Sequence, residues 1–262
     1  MSLRTSLLLG LLLSGCPRDA PKAPENLASE ARRALAERDR RLTAYLVEAA
    51  TTQGDQTATH TFVARAPNRV KGTLLTPQQV TLSFDGARFF KLSVADKKLE
   101  AFELKLPAEK AALFLTTQFA PFVPEGYRTP LLPSKGVTAT KVAHPRGPEA
   151  FELVMTTPDE AGQPITVTYH LRFPSGDFLA KTTKAGALTS EVVVEAEHCD
   201  AARALCVPKV VVQKENGVEL GRTTFTRIEL APEVPNDTFS LTAPEGYTFE
   251  KHELVESGAD GR

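Results

Sequence analysis

The chain has 262 residues, with 31 Lys and Arg against 32 Asp and Glu and a formal net charge of −1. Charges of both signs are interspersed and no basic cluster marks a phosphate-binding surface, which excludes nucleic acid as a partner. At 42% hydrophobic residues the composition is that of a globular protein, with chain enough for one large domain or two small ones at about 150 residues per domain.

Residues 1–15 carry Arg4, an apolar run over 7–13, and then Ser14 and Gly15 before Cys16. A positive start, a short apolar run and small residues at its end form the pattern of an export signal. The run is far below the ~20 residues needed to span a hydrocarbon core. Leu13-Ser14-Gly15-Cys16 resembles the bacterial lipobox, which implies cleavage before Cys16 and acylation of its thiol. One acyl chain holds only marginally, at about 0.8 kcal/mol per buried CH₂, so several chains give a long-lived anchor. The alternative is an ordinary secretory signal with a cysteine at its end by chance. Residues 17–24 are Pro-rich and polar, the composition of a semi-extended spacer, so residues 16–26 read as a lipidated N-terminus and tether.

From 25 to 51, Leu27, Ala31, Leu35, Leu42, Leu46 and Ala49 recur at helical spacing, which predicts one amphipathic helix with a narrow apolar face. Its arginines either meet lipid headgroups near the anchor or are simply solvated. After Gly54 the texture turns β-rich, with runs at 57–65, 80–84, 89–94 and 99–106, and Asp85-Gly86 suits a tight hairpin between two of them. Residues 107–120 are helical again, with Ala111, Phe114, Leu115 and Phe119 near one stripe between Pro107 and Pro121. The proline- and aromatic-rich segment down to Pro133 reads as an ordered apolar loop, where a lid would be sought.

Strands resume at 151–155 and 165–173, the second with Ile165, Val167, Tyr169, Leu171 and Phe173 in strict alternation with polar residues. Runs at 178–184, 188–196, 207–214 and 218–228 follow, the last two flanking the hairpin dipeptide Asn216-Gly217. The fold class is therefore α+β and mainly β: a strongly curved antiparallel sheet or incomplete β-barrel covered by two or more helices. A sheet with one apolar face must cover it, and only the helices at 25–51 and 108–120 are there to do so. Two readings stay open: an apolar cavity under the helices, or an interior filled by side chains.

Of the 3 cysteines, Cys16 is assigned to lipid, which leaves Cys199 and Cys206. In an exported chain such a pair reads as a disulfide stapling a hairpin. The competing reading is a metal site of His198, Asp200 and both thiols, although no second Cys/His group supplies zinc spacing. His60, His144, His170, His198 and His252 are scattered, and there is no nucleophile elbow, phosphate loop or His-Glu-x-x-His. No enzyme and no cofactor is expected.

Three stretches carry a family resemblance: Ala66-Pro67-Asn68-Arg69-Val70, Phe84-Asp85-Gly86-Ala87-Arg88-Phe89, and Phe239-Ser240-Leu241-Thr242-Ala243-Pro244-Glu245-Gly246. In this order behind an N-terminal helix, they resemble the LolA/LolB-like family of periplasmic lipoprotein carriers and acceptors. The Cys199/Cys206 loop and the long C-terminal half are departures from that pattern. The resemblance implies an incomplete barrel over residues 27–250, a tail at 251–262, and an apolar cavity that holds acyl chains without a chemical step. Phe62, Phe84, Leu92 and Leu104 are candidates for its wall from the first strands, Phe114, Phe119 and Phe122 from the helix and lid, and Tyr169 and Leu171 from the second half.

The expected function is a membrane-anchored periplasmic lipoprotein, on the outer rather than the inner membrane. It would bind acyl chains of lipoproteins or a related lipid for transfer or outer-membrane insertion. The alternative is a non-transport binding module, an envelope-stress sensor or assembly factor using the same concave sheet. Expected partners are membrane lipid through acylated Cys16, the acyl-chain ligand and a periplasmic carrier protein, with the chain itself a monomer.

Overall fold

A computed structural model describes residues 24–66, 68–75, 79–120, 122–127, 130, 132–133, 135–159 and 161–255. The expected signal, Cys16 and nearly all of the tether lie outside the described residues, as does Pro121. Helix α1 (Pro24–Arg41) leads into β1 (Ala44–Gln53), β2 (Gln56–Arg65), β3 (Arg69–Leu74), β4 (Val80–Phe84), β5 (Arg88–Ser93) and β6 (Lys98–Lys105). After α2 (Ala108–Phe119) come β7 (Val137–His144), β8 (Gly147–Pro158), β9 (Pro164–Arg172), β10 (Phe178–Ala185), β11 (Leu188–Asp200), β12 (Leu205–Glu215), β13 (Val218–Leu230) and β14 (Thr248–Val255).

All the strands join one curved, unclosed 14-stranded sheet in the order β14-β6-β5-β4-β3-β2-β1-β13-β12-β11-β10-β9-β8-β7. It is two antiparallel meanders, β1–β6 and β7–β13, joined where β1 pairs with β13. Among the described strands, β14 on β6 is the one parallel pairing.

The helix expected over 25–51 stops at Arg41, and its second half is β1. Leu42, Leu46 and Ala49 fit a helical period, but beyond Ala44 the buried positions are Tyr45, Val47 and Ala49, at period two. Tyr45, Val47, Thr51 and Thr52 favour a strand, and pairing with β2 on one side and β13 on the other decides the outcome. Strands β3, β7 and β14 have weak signals: β3 is six residues broken by Gly72, β7 buries only Ala139, and β14 is mostly polar and exposed. Residues 251–255, expected in a tail, form the second half of β14.

Helix α1 lays Leu27, Ala31 and Leu35 on the concave face of the second meander, against Phe151, Leu153, Leu171 and Val194. Burying each leucine there contributes about 1.5–3 kcal/mol. The first meander's concave face carries Phe62, Phe84 and Phe89 under Phe119, Phe122 and Tyr127. Its opposite face is partly covered by the C-terminal segment: Leu241 packs on Phe90, Leu99 and Ala101, and Ser83 Oγ donates to the Phe239 carbonyl at 2.6 Å. Cys199 and Cys206 face each other across β11 and β12 and are bonded. That is the staple read from the sequence.

A candidate ligand cleft under helix α2

Alternation in four adjacent strands builds one apolar floor. The register aligns Tyr45 with Ala64, Ala64 with Val70, and Val70 with Phe84, while Val47, Phe62, Gly72 and Leu82 align one step along. All of these therefore face the concave side. Helix α2 crosses above and leaves a cleft of about 640 Å³, within the range of a site for one small ligand. Phe62, Ala64, Val70 and Phe84 line it below, and Ala111, Leu115, Phe119, Val123 and Tyr127 line it above.

The roof is pinned at the C-terminal end of α2. Phe89 meets Phe114 and Phe119 edge-on at 5.3 and 6.0 Å. Phe122 sits on Gly72, where an added Cβ would come within 2.6 Å of its ring. Tyr127 packs on Tyr45 and Phe225 at 5.3 and 5.1 Å, and its hydroxyl donates to the Pro208 carbonyl at 2.9 Å. Burial pushes that hydroxyl's pKa up, so it stays a donor. Gly126 has φ +83°, open to glycine without strain, and a Cβ added there would come within 2.6 Å of Pro208 and 2.9 Å of Phe178.

A buried polar group locks this loop to α1. Arg38, 1% exposed, donates to the Gly126 carbonyl. Its Nε lies 3.7 Å from Asp177 Oδ1, an attraction without a hydrogen bond, and Asp177 is 2% exposed. Burial raises the Asp177 pKa, opposed by the Ser175 hydroxyl, Arg38 and Arg172. Lys181 adds an ion pair to Glu125 at 2.9 Å. His60 is on the same face as Phe62 by its register with Ala49 and Leu74, and burial pushes its imidazole pKa down.

Of the residues expected to form the cavity, the structure brings Phe62, Phe84 and Phe119 to the cleft. Phe122, Phe114 and Leu104 belong to the same apolar cluster at its margins. Leu92 lies on the opposite face of the sheet with Phe90 and Leu99. Tyr169 and Leu171 pack in the α1 cluster, away from the cleft. The lid expected over 119–133 is a packed strap where it is described, with Phe119, Phe122 and Tyr127 all buried, while Leu131 lies outside the described residues. Sequence reasoning missed Tyr45, Ala64, Val70, Leu115, Val123 and Tyr127. Period-two alternation through 45–49 was the available signal for Tyr45.

Other clusters are poorer candidates. Glu100, Glu250 and His252 lie close enough to share a metal ion, but Lys98 already bridges the two carboxylates at 3.1 and 2.8 Å.

No protein-family model matches the sequence, and no curated protein is similar to it. Solved structures are similar in fold. A domain assigned to outer-membrane lipoprotein sorting from Vibrio parahaemolyticus is 9% identical, with 83% of this chain and 97% of that one covered at a TM-score of 0.52. A DUF1329-family protein from Desulfovibrio piger is 8% identical, with 83% and 98% covered at 0.50. A LolA-superfamily protein from Nitrosomonas europaea is 12% identical, with 80% and 97% covered at 0.48. The chain shares the fold of the Vibrio parahaemolyticus domain and the Desulfovibrio piger protein, an open sheet capped by helices.

Proposed function

We propose that the chain is a lipid-anchored envelope protein that takes an acyl chain of a lipoprotein, or of a related lipid, into the cleft under α2 and hands it on at a membrane. The observation that carries this reading is the apolar cleft of about 640 Å³ between α2 and β1–β4, open to solvent. No bond needs to be made or broken. Binding is driven by removing apolar surface from water, at about 25 cal/mol per Å², and direction comes from relative affinities for donor, cleft and bilayer. Cys16 would hold the cleft at one membrane, with the outer membrane as its place, which suits an acceptor better than a shuttle.

The test is native mass spectrometry of the full chain carrying Cys16→Ser, together with uptake of a fluorescent fatty acid. Copurified acyl lipid and saturable uptake are expected. Ala64→Phe, which fills the floor of the cleft, should abolish uptake without lowering stability. A protein that takes up no fatty acid, or whose uptake survives Ala64→Phe, would falsify the proposal.

A further inference from the structure

The cleft is apolar along its length but cationic at one end. Arg65 at the end of β2 and Arg69 at the start of β3 stand on its rim. Arg65 also lines an adjoining hollow of about 610 Å³, bounded by Thr43, Ala44 and the segment 231–235. The arginines converge: Arg65 Nη2 and Arg69 Nη1 both donate to one neutral acceptor, Asn236 Oδ1, and Arg65 Nη1 donates to the Val234 carbonyl. Among the described residues no carboxylate pairs with either guanidinium.

Like charges gathered on one neutral oxygen repel each other and leave most of their N–H donors for another acceptor. An anionic oxygen pair placed there would neutralise both and accept in the bidentate fork geometry that guanidinium favours. Two described acidic residues line the cleft or the hollow. Asp39 on the rim is engaged electrostatically with buried Arg38, and exposed Glu233 borders the hollow without bonding either arginine.

Resting on the lipid-binding reading above, we infer that the ligand is an amphiphile with an anionic headgroup, a phosphate or a carboxylate. Its chain lies under α2 and its headgroup is held by Arg65 and Arg69 at the mouth. Chain and headgroup thus occupy two connected compartments, and the arginines set the ligand's direction.

Three lipids of equal chain length separate the terms when titrated calorimetrically into the full chain carrying Cys16→Ser: palmitoyl-lysophosphatidylglycerol, palmitoyl-lysophosphatidylcholine and monopalmitoylglycerol. The anionic lipid should bind about tenfold tighter than the neutral one at low salt, and about 0.5 M salt should erase most of that preference. Arg65→Gln with Arg69→Gln should bring the anionic lipid to the neutral lipid's affinity and leave monopalmitoylglycerol unchanged. Asn236→Ala, which removes the shared acceptor but spares both charges, should keep the preference; if it acts like the double arginine variant, the arginines only brace the chain. Should the double variant fail to fold, the salt dependence of the parent decides. Equal affinity for all three lipids overturns the headgroup assignment alone, whereas no binding of any lipid overturns the cleft reading as well. Inorganic phosphate binding as tightly as the anionic lipid would make the arginines a free-phosphate site instead.

Discussion

Gly72→Ala tests whether the roof of the cleft is pinned where the packing says it is. A Cβ on Gly72 would lie 2.6, 2.7 and 2.8 Å from Cγ, Cδ1 and Cβ of Phe122. These atoms are at the base of the ring, so rotating it gives no relief, and Phe122 is only 7% exposed. Either β3 or the 122–127 strap must move, and the strap is held by the Tyr127–Pro208 hydrogen bond at 2.9 Å and by Arg38 on the Gly126 carbonyl. Overpacking of this kind costs about 1–3 kcal/mol, offset by about 0.5–1 kcal/mol from replacing a strand glycine by alanine. The net loss should be about 1–2 kcal/mol, read as a lower urea midpoint by circular dichroism. For a chain of this size that is a Tm lower by several degrees, at about 2–4 °C per kcal/mol. Phe122→Ala alone should cost about 3–5 kcal/mol, and the double variant less than the sum by about 1 kcal/mol, because the clash is gone. Gly72→Ala as stable as the parent, or a strictly additive double variant, would refute the close contact.

Arg38→Ala should destabilise by about 3 kcal/mol, since it leaves the buried Asp177 with Arg172 as its remaining cation and removes the donor to the Gly126 carbonyl; a loss below 1 kcal/mol in the same urea assay would count against this. Asp177 has a pKa raised by burial. The folded protein therefore keeps a proton there that the unfolded chain has released. This contribution to stability is complete below the ordinary carboxylate range and is lost as pH rises through the folded value. Asp177→Asn should flatten that part of the stability curve, and an unchanged slope in urea titrations across it would be the contrary result. Cys199→Ser with Cys206→Ser opens a loop of sequence separation 7 and should lower stability by about 2–3 kcal/mol on the loop-entropy estimate. Thiol labelling of the parent without reductant should find both cysteines blocked.

Strands were legible where one face is apolar and the other polar, as from Ile165 to Phe173, because alternation reports burial on one side directly. They were not legible where the residues are few or small: Gly72 leaves a gap in β3 that only Phe122 explains, and Ala139 is the one buried position of β7. The boundary after Arg41 was missed because Leu42, Leu46 and Ala49 satisfy both periods; pairing partners more than ten positions away settle it. The site was half legible for a similar reason. An aromatic residue in a strand marks an inward position without saying which compartment it enters. Phe62 and Phe84 reach the cleft, whereas Tyr169 and Leu171 lie under α1 and Leu92 points to the other face. Arg69 lies in one of the stretches that carry the resemblance, but the convergence of Arg65 and Arg69 was not legible, since it depends on Asn236 folding back beside them.

The two helices show why one half of the sheet is sealed and the other hollow. Helix α1 brings Leu27 and Leu35 to the sheet with Ala28 and Ala31 between them, so large side chains plug the spaces while the small ones let the helix lie close. Helix α2 reverses the arrangement along its length: its last turn presents Phe119, which is buried, while its first two turns present Ala108, Ala111 and Ala112 over the floor. Ala64 on the floor is another small residue lining the same cleft, so small side chains on both walls help to leave it open. Leu113 meanwhile points outward, 67% exposed, though a turn of the helix would bring it to the sheet. A purely structural core would use larger residues here, since every Å² of apolar wall left wet forgoes about 25 cal/mol. On the proposed lipid-binding reading, the stability forgone at this wall is recovered when an apolar ligand covers it, and the alanines of α2 and β2 then serve binding rather than the fold.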